Sequence, residues 1–169
     1  MACVDSCSHN ALQATLNEEG HIVPLIDESK CVNCKLCERV CPVVSKLPYS
    51  QSPVASSFAG WAKDKVVRKN SATAGAFSAL AQYVFSKGGV VCGASNVDGV
   101  LVKPICIEKV DELNKLQGSK YTQSNAEGIY KTVSVNLKQG KLVLFSGTGC
   151  QVAGLYGYLG KRKYSGRLI

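Results

Sequence analysis

The chain has 169 residues, a formal net charge of +8 and a hydrophobic fraction of 46%. That length admits a small module plus one medium domain, and no apolar run approaches the roughly 20 residues a membrane-spanning helix requires. The basic residues do not interleave with aromatics, which argues against nucleic acid, and Met1-Ala2-Cys3 opens the chain without the basic and apolar stretches of an export signal.

The expectation is therefore a cytoplasmic, reducing setting. Six of the nine cysteines fall within the first 41 residues at spacings of two and three, which there reads as metal binding rather than disulfides. Charge divides the chain as well. Residues 1 to 50 carry 4 basic and 6 acidic side chains, and the remainder carry 16 and 6, giving −2 and +10. The change falls near the Ser- and Pro-rich stretch 48–57, so a module 1–48 and a domain 49–169 are expected. The basic second half suits an anionic cofactor, an acidic partner or simply a solvated surface.

In chain order, Cys3 and Cys7 come first, in C-V-D-S-C. Leu12, Ala14 and Leu16 then alternate with polar residues, Glu19-Gly20 makes a turn, and His21 to Ile26 offers a second strand, which together predict a hairpin. Cys31, Cys34, Cys37, Cys41 and Pro42 follow as C-x2-C-x2-C-x3-C-P, the run whose thiolates hold a [4Fe-4S] cube. Soft sulfur ligands stabilise iron, and the x2 spacing curls the backbone so that its amides face sulfur. Zinc is the competing reading, but its frameworks pair two C-x2-C units across a longer gap. His9 and His21 receive no role, since thiolates suffice.

Cys3 and Cys7 lie 34 positions before Cys37 and Cys41, so the first half-motif reads as the end of an earlier copy of the same run. In two-cluster ferredoxins the fourth cysteine of each run ligates the other run's cluster. That rule groups Cys7 with Cys31, Cys34 and Cys37 in one complete site and leaves Cys3 and Cys41 as a second half-site. The repeat puts two further cysteines before Met1, and an N-terminal truncation is the expectation.

Beyond the boundary, residues 57–62, with Trp61, read as a strand and 63–65 as a polar turn. Phe77, Leu80, Ala81 and Val84 mark a helix face, Gly88-Gly89 stops that helix, and 90–94 is a buried strand. Residues 100–107 read as a strand, 110–116 as a short helix, and Ile129, Val133 and Leu137 as one face of a longer helix. A buried strand at 142–145 runs through Ser146-Gly147-Thr148-Gly149-Cys150 into a helix with Val152, Leu155, Tyr156 and Leu159 on one face. The expected fold is an α+β ferredoxin-like module followed by a partial α/β domain. A glycine-rich turn ahead of a helix can bind phosphate through backbone N–H groups, or merely reverse the chain.

Read together, the segments resemble the coenzyme F420 hydrogenase/dehydrogenase beta-subunit family across nearly the whole chain. The resemblance rests on the cysteine module, on Ser71-Ala72-Thr73-Ala74-Gly75, on the segment from Gly88 to Ala94, on that from Gly118 to Ser124, and on that from Leu144 to Gln151. It implies an oxidoreductase subunit: an FAD-binding domain exchanging electrons between iron-sulfur clusters and a deazaflavin (coenzyme F420) or other two-electron substrate, beside a redox partner protein or sibling subunit. On these positions the FAD pocket falls at Ser71, Thr73 and Gly75, at Gly118, Ser119, Lys120 and Tyr121, and at Gly147, Thr148, Gly149, Cys150 and Gln151. Lys120 is placed either on pyrophosphate or reduced flavin, or at the surface; no residue is given a catalytic role. Ala74-Gly75 and Gly149 depart from the family's pattern of two glycines and a proline, and the chain ends on entering a strand at 166–169 where relatives continue. The rival reading is an electron-carrier or docking subunit without flavin.

Overall fold

A computed structural model describes residues 1–45, 56–72, 74–160, 164 and 166–169. The expected boundary therefore falls largely outside the described residues. The 34-residue repeat is structural: α1 (Ala2–Ser6) and α2 (Leu36–Val40) occupy the same place in each copy. Each ends as its last cysteine turns extended, with Cys7 donating its N–H back to Val4 and Cys41 to Glu38. Between them β1 (Leu12–Leu16) and β2 (Ile22–Ile26) form the predicted antiparallel hairpin, paired from Leu12 with Ile26 to Leu16 with Ile22. Gly20, at φ +80°, makes the turn.

The second sheet has three strands in the order β4-β3-β5. The central β3 (Val90–Val97) is antiparallel to β4 (Leu101–Ile107) and parallel to β5 (Val143–Phe145). Side chains alternate across it with the strand period of two. Val90, Cys92, Val143 and Phe145 join a core with Tyr130, Val133 and Leu137 of α5 (Ile129–Lys138) and Leu155 and Leu159 of α6 (Gly149–Leu159). Val91 and Leu144 point the other way, to Ala81 and Val84 of α4 (Ala76–Ser86) and to Leu113 in a 3-10 helix, Val110–Lys115. The fold is a mixed α/β arrangement with small sheets. Ala2 and Val40 belong to the first of these cores, so α1 and α2 pack onto the α5-α6 side. Among the described residues no helix is long and apolar enough to cross a membrane.

Several expectations change for identifiable reasons. Residues 57–62 form no strand: Phe58 and Trp61 are exposed, and Ala62 donates its N–H to Ala74 instead of to a ladder. The polar turn at 63–65 is a helix start, because Asp64 Oδ1 accepts from Val66 N at 2.7 Å and caps α3 (Lys65–Lys69). Leu80 is exposed while Ser78 is buried, so α4 turns a more polar stripe inward, where Ser78 is hydrogen-bonded. Tyr156 is likewise exposed, since α6 buries Gly154 and Gly157 in its place. A Cβ on Gly154 would stand 3.0 Å from Tyr130 Oη and 3.6 Å from Ala2 Cβ, so the missing side chain lets α1 and α5 approach. Cys92 and Cys106, unassigned in the sequence, sit opposite each other in the β3-β4 register and are joined as a disulfide. Residues 167–169 run parallel to β5, as the sequence end suggested, with Val143 N donating to Arg167 O and Phe145 N to Ile169 O.

Gly89 lets α4 turn into β3. A Cβ there would press on the Leu142 carbonyl oxygen and lie 2.6 Å from Val84 Cγ1. Overpacking of that kind costs about 1–3 kcal/mol. Gly89→Ala should lower unfolding free energy by that amount in a denaturant titration, whereas Gly99→Ala, whose Cβ meets nothing within 4 Å, should lose only the strain of its φ of +76°.

Candidate metal centre and adjoining glycine turns

Cys7, Cys31, Cys34 and Cys37 line a single cavity of about 100 Å³. Cys7 arrives from the end of α1, and the other three from the irregular loop leading into α2 and from α2 itself. The loop curls because Asn33 and Lys35 both adopt left-handed backbone conformations, φ +52° and +58°. Successive amides in such a curl turn inward, the geometry that favours an anionic centre. Ala11 N donates to Cys7 Sγ at 3.3 Å. The hairpin closes one side with Leu12 and Ile26, which are cross-strand partners, and Val32 and Leu36 add further apolar wall. Among the described residues no three His, Cys, Asp or Glu side chains close on one point as a single metal ion demands.

Cys3 and Cys41 do not line this cavity. Burial pushes the Cys3 thiol up; the Met1 ammonium opposes the shift and the nearby Cys41 adds to it. The two half-motif ends thus adjoin each other and stand apart from the group of four. His9 lines the cavity, and His21 is on the hairpin turn, 3.9 Å from Glu19.

The glycine turns gather at one edge of the larger sheet. Because α4 and α6 run back against the parallel strands β3 and β5, their N-termini lie at the strands' C-terminal ends, where open α/β sheets place ligands. Gly75, at φ +74°, starts α4; Thr73 lies outside the described residues. Ser71 Oγ donates to Val67 O and so accepts from Ser78 Oγ at 2.7 Å, which accepts in turn from Gln117 Nε2 at 3.0 Å. The 71–75 and 117–124 segments are thereby tied together. Lys120 Nζ is turned onto the protein's own carbonyls at Gln117 (2.7 Å), Gly118 (3.1 Å) and Lys115 (3.3 Å), and burial lowers its pKa. Gly118 and Ser119 are exposed, and Tyr121 is 95% exposed. Gly147, Thr148, Gly149 and Cys150 are exposed at the start of α6. Gln151 Oε1 accepts from Thr148 N at 3.0 Å, while its Nε2 donates to Ser124 Oγ at 2.8 Å and ties this turn to the same 117–124 segment.

Two residues that sequence reasoning missed join the halves. Asp5, buried in α1, accepts from the N–H groups of Gly128, Tyr130 and Lys131 and so caps α5 across more than 120 residues of chain. One signal was available: in the repeat Asp5 stands where Arg39 stands, a reversal of sign at matched positions. Gln123 is the second, bonded through both side-chain atoms to the backbone of Ile22. Tyr130 lies beneath, its hydroxyl pKa raised by burial, with Asp5, Cys150 and Cys3 adding to the shift.

The doubled short helices, the hairpin and the four-thiol cavity define an iron-sulfur module of ferredoxin type, and residues 1–44 match the family described as 4Fe-4S dicluster domain. Residues 57–131 match the family described as Coenzyme F420 hydrogenase/dehydrogenase, beta subunit N-term. The chain thus carries, in order, a match to an iron-sulfur electron-transfer module and a match to a beta-subunit segment of that oxidoreductase family. Three of the segments that carried the resemblance fall within the second match, while 144–151 lies beyond it. No curated protein matches the chain.

Proposed function

We propose that the chain is the electron-transferring part of a cytoplasmic iron-sulfur flavoprotein oxidoreductase subunit, with module 1–48 and domain 49–169 as its working halves. Cys7, Cys31, Cys34 and Cys37 hold one [4Fe-4S] cluster, and Cys3 and Cys41 contribute half of a second site. The observation that carries this reading is the cavity lined by those four thiols, three of which stand in the sequence at the spacing of a cube-binding run. The donor set fits: four soft sulfurs, Cys31 and Cys34 of them exposed, an amide on Cys7 Sγ, and apolar neighbours in Leu12, Ile26, Val32 and Leu36.

FAD is the second cofactor of this reading, held at Ser71, Thr73 and Gly75, at Gly118 to Tyr121 and at Gly147 to Gln151. A flavin exchanges electrons in pairs with a deazaflavin or similar substrate and singly with an iron-sulfur cube. The exposed backbone of residues 147–150, at the positive end of the eleven-residue α6, suits a diphosphate. Ser119 is exposed, while Lys120 braces the 117–118 backbone. A sibling subunit or redox protein takes or supplies single electrons.

A flavin-free carrier or docking subunit is the second reading, favoured by that engagement of Lys120 with carbonyls and by the full exposure of Tyr121. Anaerobic reconstitution with iron, sulfide and FAD separates the two. The proposal expects about four irons per chain at the complete site together with retained FAD in equal amount after gel filtration. Iron without flavin selects the carrier, and zinc taken up in place of iron rejects both.

A further inference from the structure

The β1-β2 hairpin walls the cysteine cavity yet lies outside the hydrophobic core. Leu16, Leu25 and Ile26 are each more than half exposed, and neither strand contributes to the core clusters. What reaches it from the α/β half is Gln123. Its Oε1 accepts from Ile22 N at 2.6 Å, and its Nε2 donates to Ile22 O at 3.0 Å, so the amide mimics one rung of a β-ladder at the start of β2. Among the described residues these two hydrogen bonds join the hairpin to that half.

Gln123 is itself firmly rooted. Ser124 bridges to Val102 on the outer edge of β4, and Asn125 N donates to Val102 O at 2.9 Å. Ser124 Oγ also accepts from Gln151, whose Oε1 fixes Thr148 N in the glycine turn. A path of hydrogen bonds, joined through the 123–124 backbone, therefore runs from Ile22, at the turn end of the hairpin whose opposite end (Leu12 and Ile26) walls the cavity, to the 147–151 turn.

We infer that Gln123 is a positioning residue: it straps the hairpin over the cysteine cavity and, with Ser124, sets that wall at a fixed position relative to the 147–151 turn. The part concerning cluster protection rests on the iron-sulfur reading above; the mechanical part does not. With the strap cut, the wall formed by Leu12 and Ile26 swings more freely, the half-buried Cys7 and Cys37 become as open to water and oxygen as the exposed Cys31 and Cys34, and the loosening extends to Thr148.

The test compares wild type with Gln123→Ala and Gln123→Glu in the full chain. Residue-resolved hydrogen exchange should quicken about tenfold at Ile22 N in Gln123→Ala, the loss of two exposed hydrogen bonds, and to a smaller extent at Thr148 N, with the α5 amides unchanged. Gln123→Glu, which keeps the acceptor for Ile22 N and loses the donor to Ile22 O, should fall between. In iron-loaded protein the visible absorbance of Gln123→Ala should bleach several-fold faster in air from the same starting iron content. Wild-type exchange at Thr148, wild-type bleaching, or uniform acceleration of every amide would each overturn the assignment, the last by showing a general loss of stability. If wild type loads no cluster, the iron-sulfur proposal fails while the exchange result still decides the role of Gln123.

Discussion

Cys34→Ser should strip the chain of its complete cluster, whereas Cys41→Ser should leave the iron content close to wild type. Cys34 lies in the middle of the curled loop and faces the same cavity as Cys7, Cys31 and Cys37. A serine there puts a hard, poorly ionised oxygen where a soft thiolate is needed, so one corner of the cube loses its ligand and iron is readily shed from it. Cys41 ends α2 outside that cavity, and Cys3, at the start of the chain, lies outside it too. Iron and acid-labile sulfide assays after anaerobic reconstitution, with the electron paramagnetic resonance signal of the reduced protein, read the difference directly. Equal iron loss in the two variants would show that Cys41, not Cys7, completes the group.

The cysteine module was legible because its information is local and periodic. Spacings of two and three fix which sulfurs can meet, a 34-residue offset fixes which short helices correspond, and alternation around Gly20 fixes the hairpin. The strand and helix order of the second half was legible for the same reason: Val90 to Ala94 and Leu142 to Phe145 are apolar runs between glycine-marked turns. Errors arose where one residue's local pattern had two outcomes. Asp64 between lysines fits a turn or a helix cap, and only the N–H groups of Val66 and Val67 decide it. Leu80 and Tyr156 fit an apolar stripe on a helical wheel, yet the burial of Ser78 and Gly154 depends on what lies opposite, which periodicity cannot supply.

The candidate site divides along the same line. The spacing grouped the four cysteines that line one cavity, but it did not reveal what fixes the module in place, because Asp5, Gln123 and Gln151 act through partners 123, 101 and 27 residues away in sequence. Lys120 was placed by resemblance on an anion or at the surface. Its contacts with three backbone carbonyls close the end of the 3-10 helix, a role that depends on how the chain folds after Leu116.

The strongest of these long-range links gives the second large effect. Asp5→Ala should destabilise the protein by about 3 kcal/mol, since it removes a charged cap and leaves several buried or half-buried N–H groups at the start of α5 without an acceptor. Tyr130 N is fully buried, so water cannot take the place of the lost carboxylate there. Asp5→Asn should cost less, about 1–2 kcal/mol, because one oxygen still accepts while the amide's own hydrogens confront donors. The repeat supplies the matched control. Arg39 occupies the same position in the second copy but is exposed, so Arg39→Ala should stay within about 0.5 kcal/mol. All three variants need denaturant unfolding at equal iron occupancy, because a bound cluster raises apparent stability by mass action. A small effect from Asp5→Ala would mean that the apolar contacts of Ala2 and Val40 alone dock the module; a large one assigns that docking to a single carboxylate, set between two cysteines of the repeat and aimed at α5.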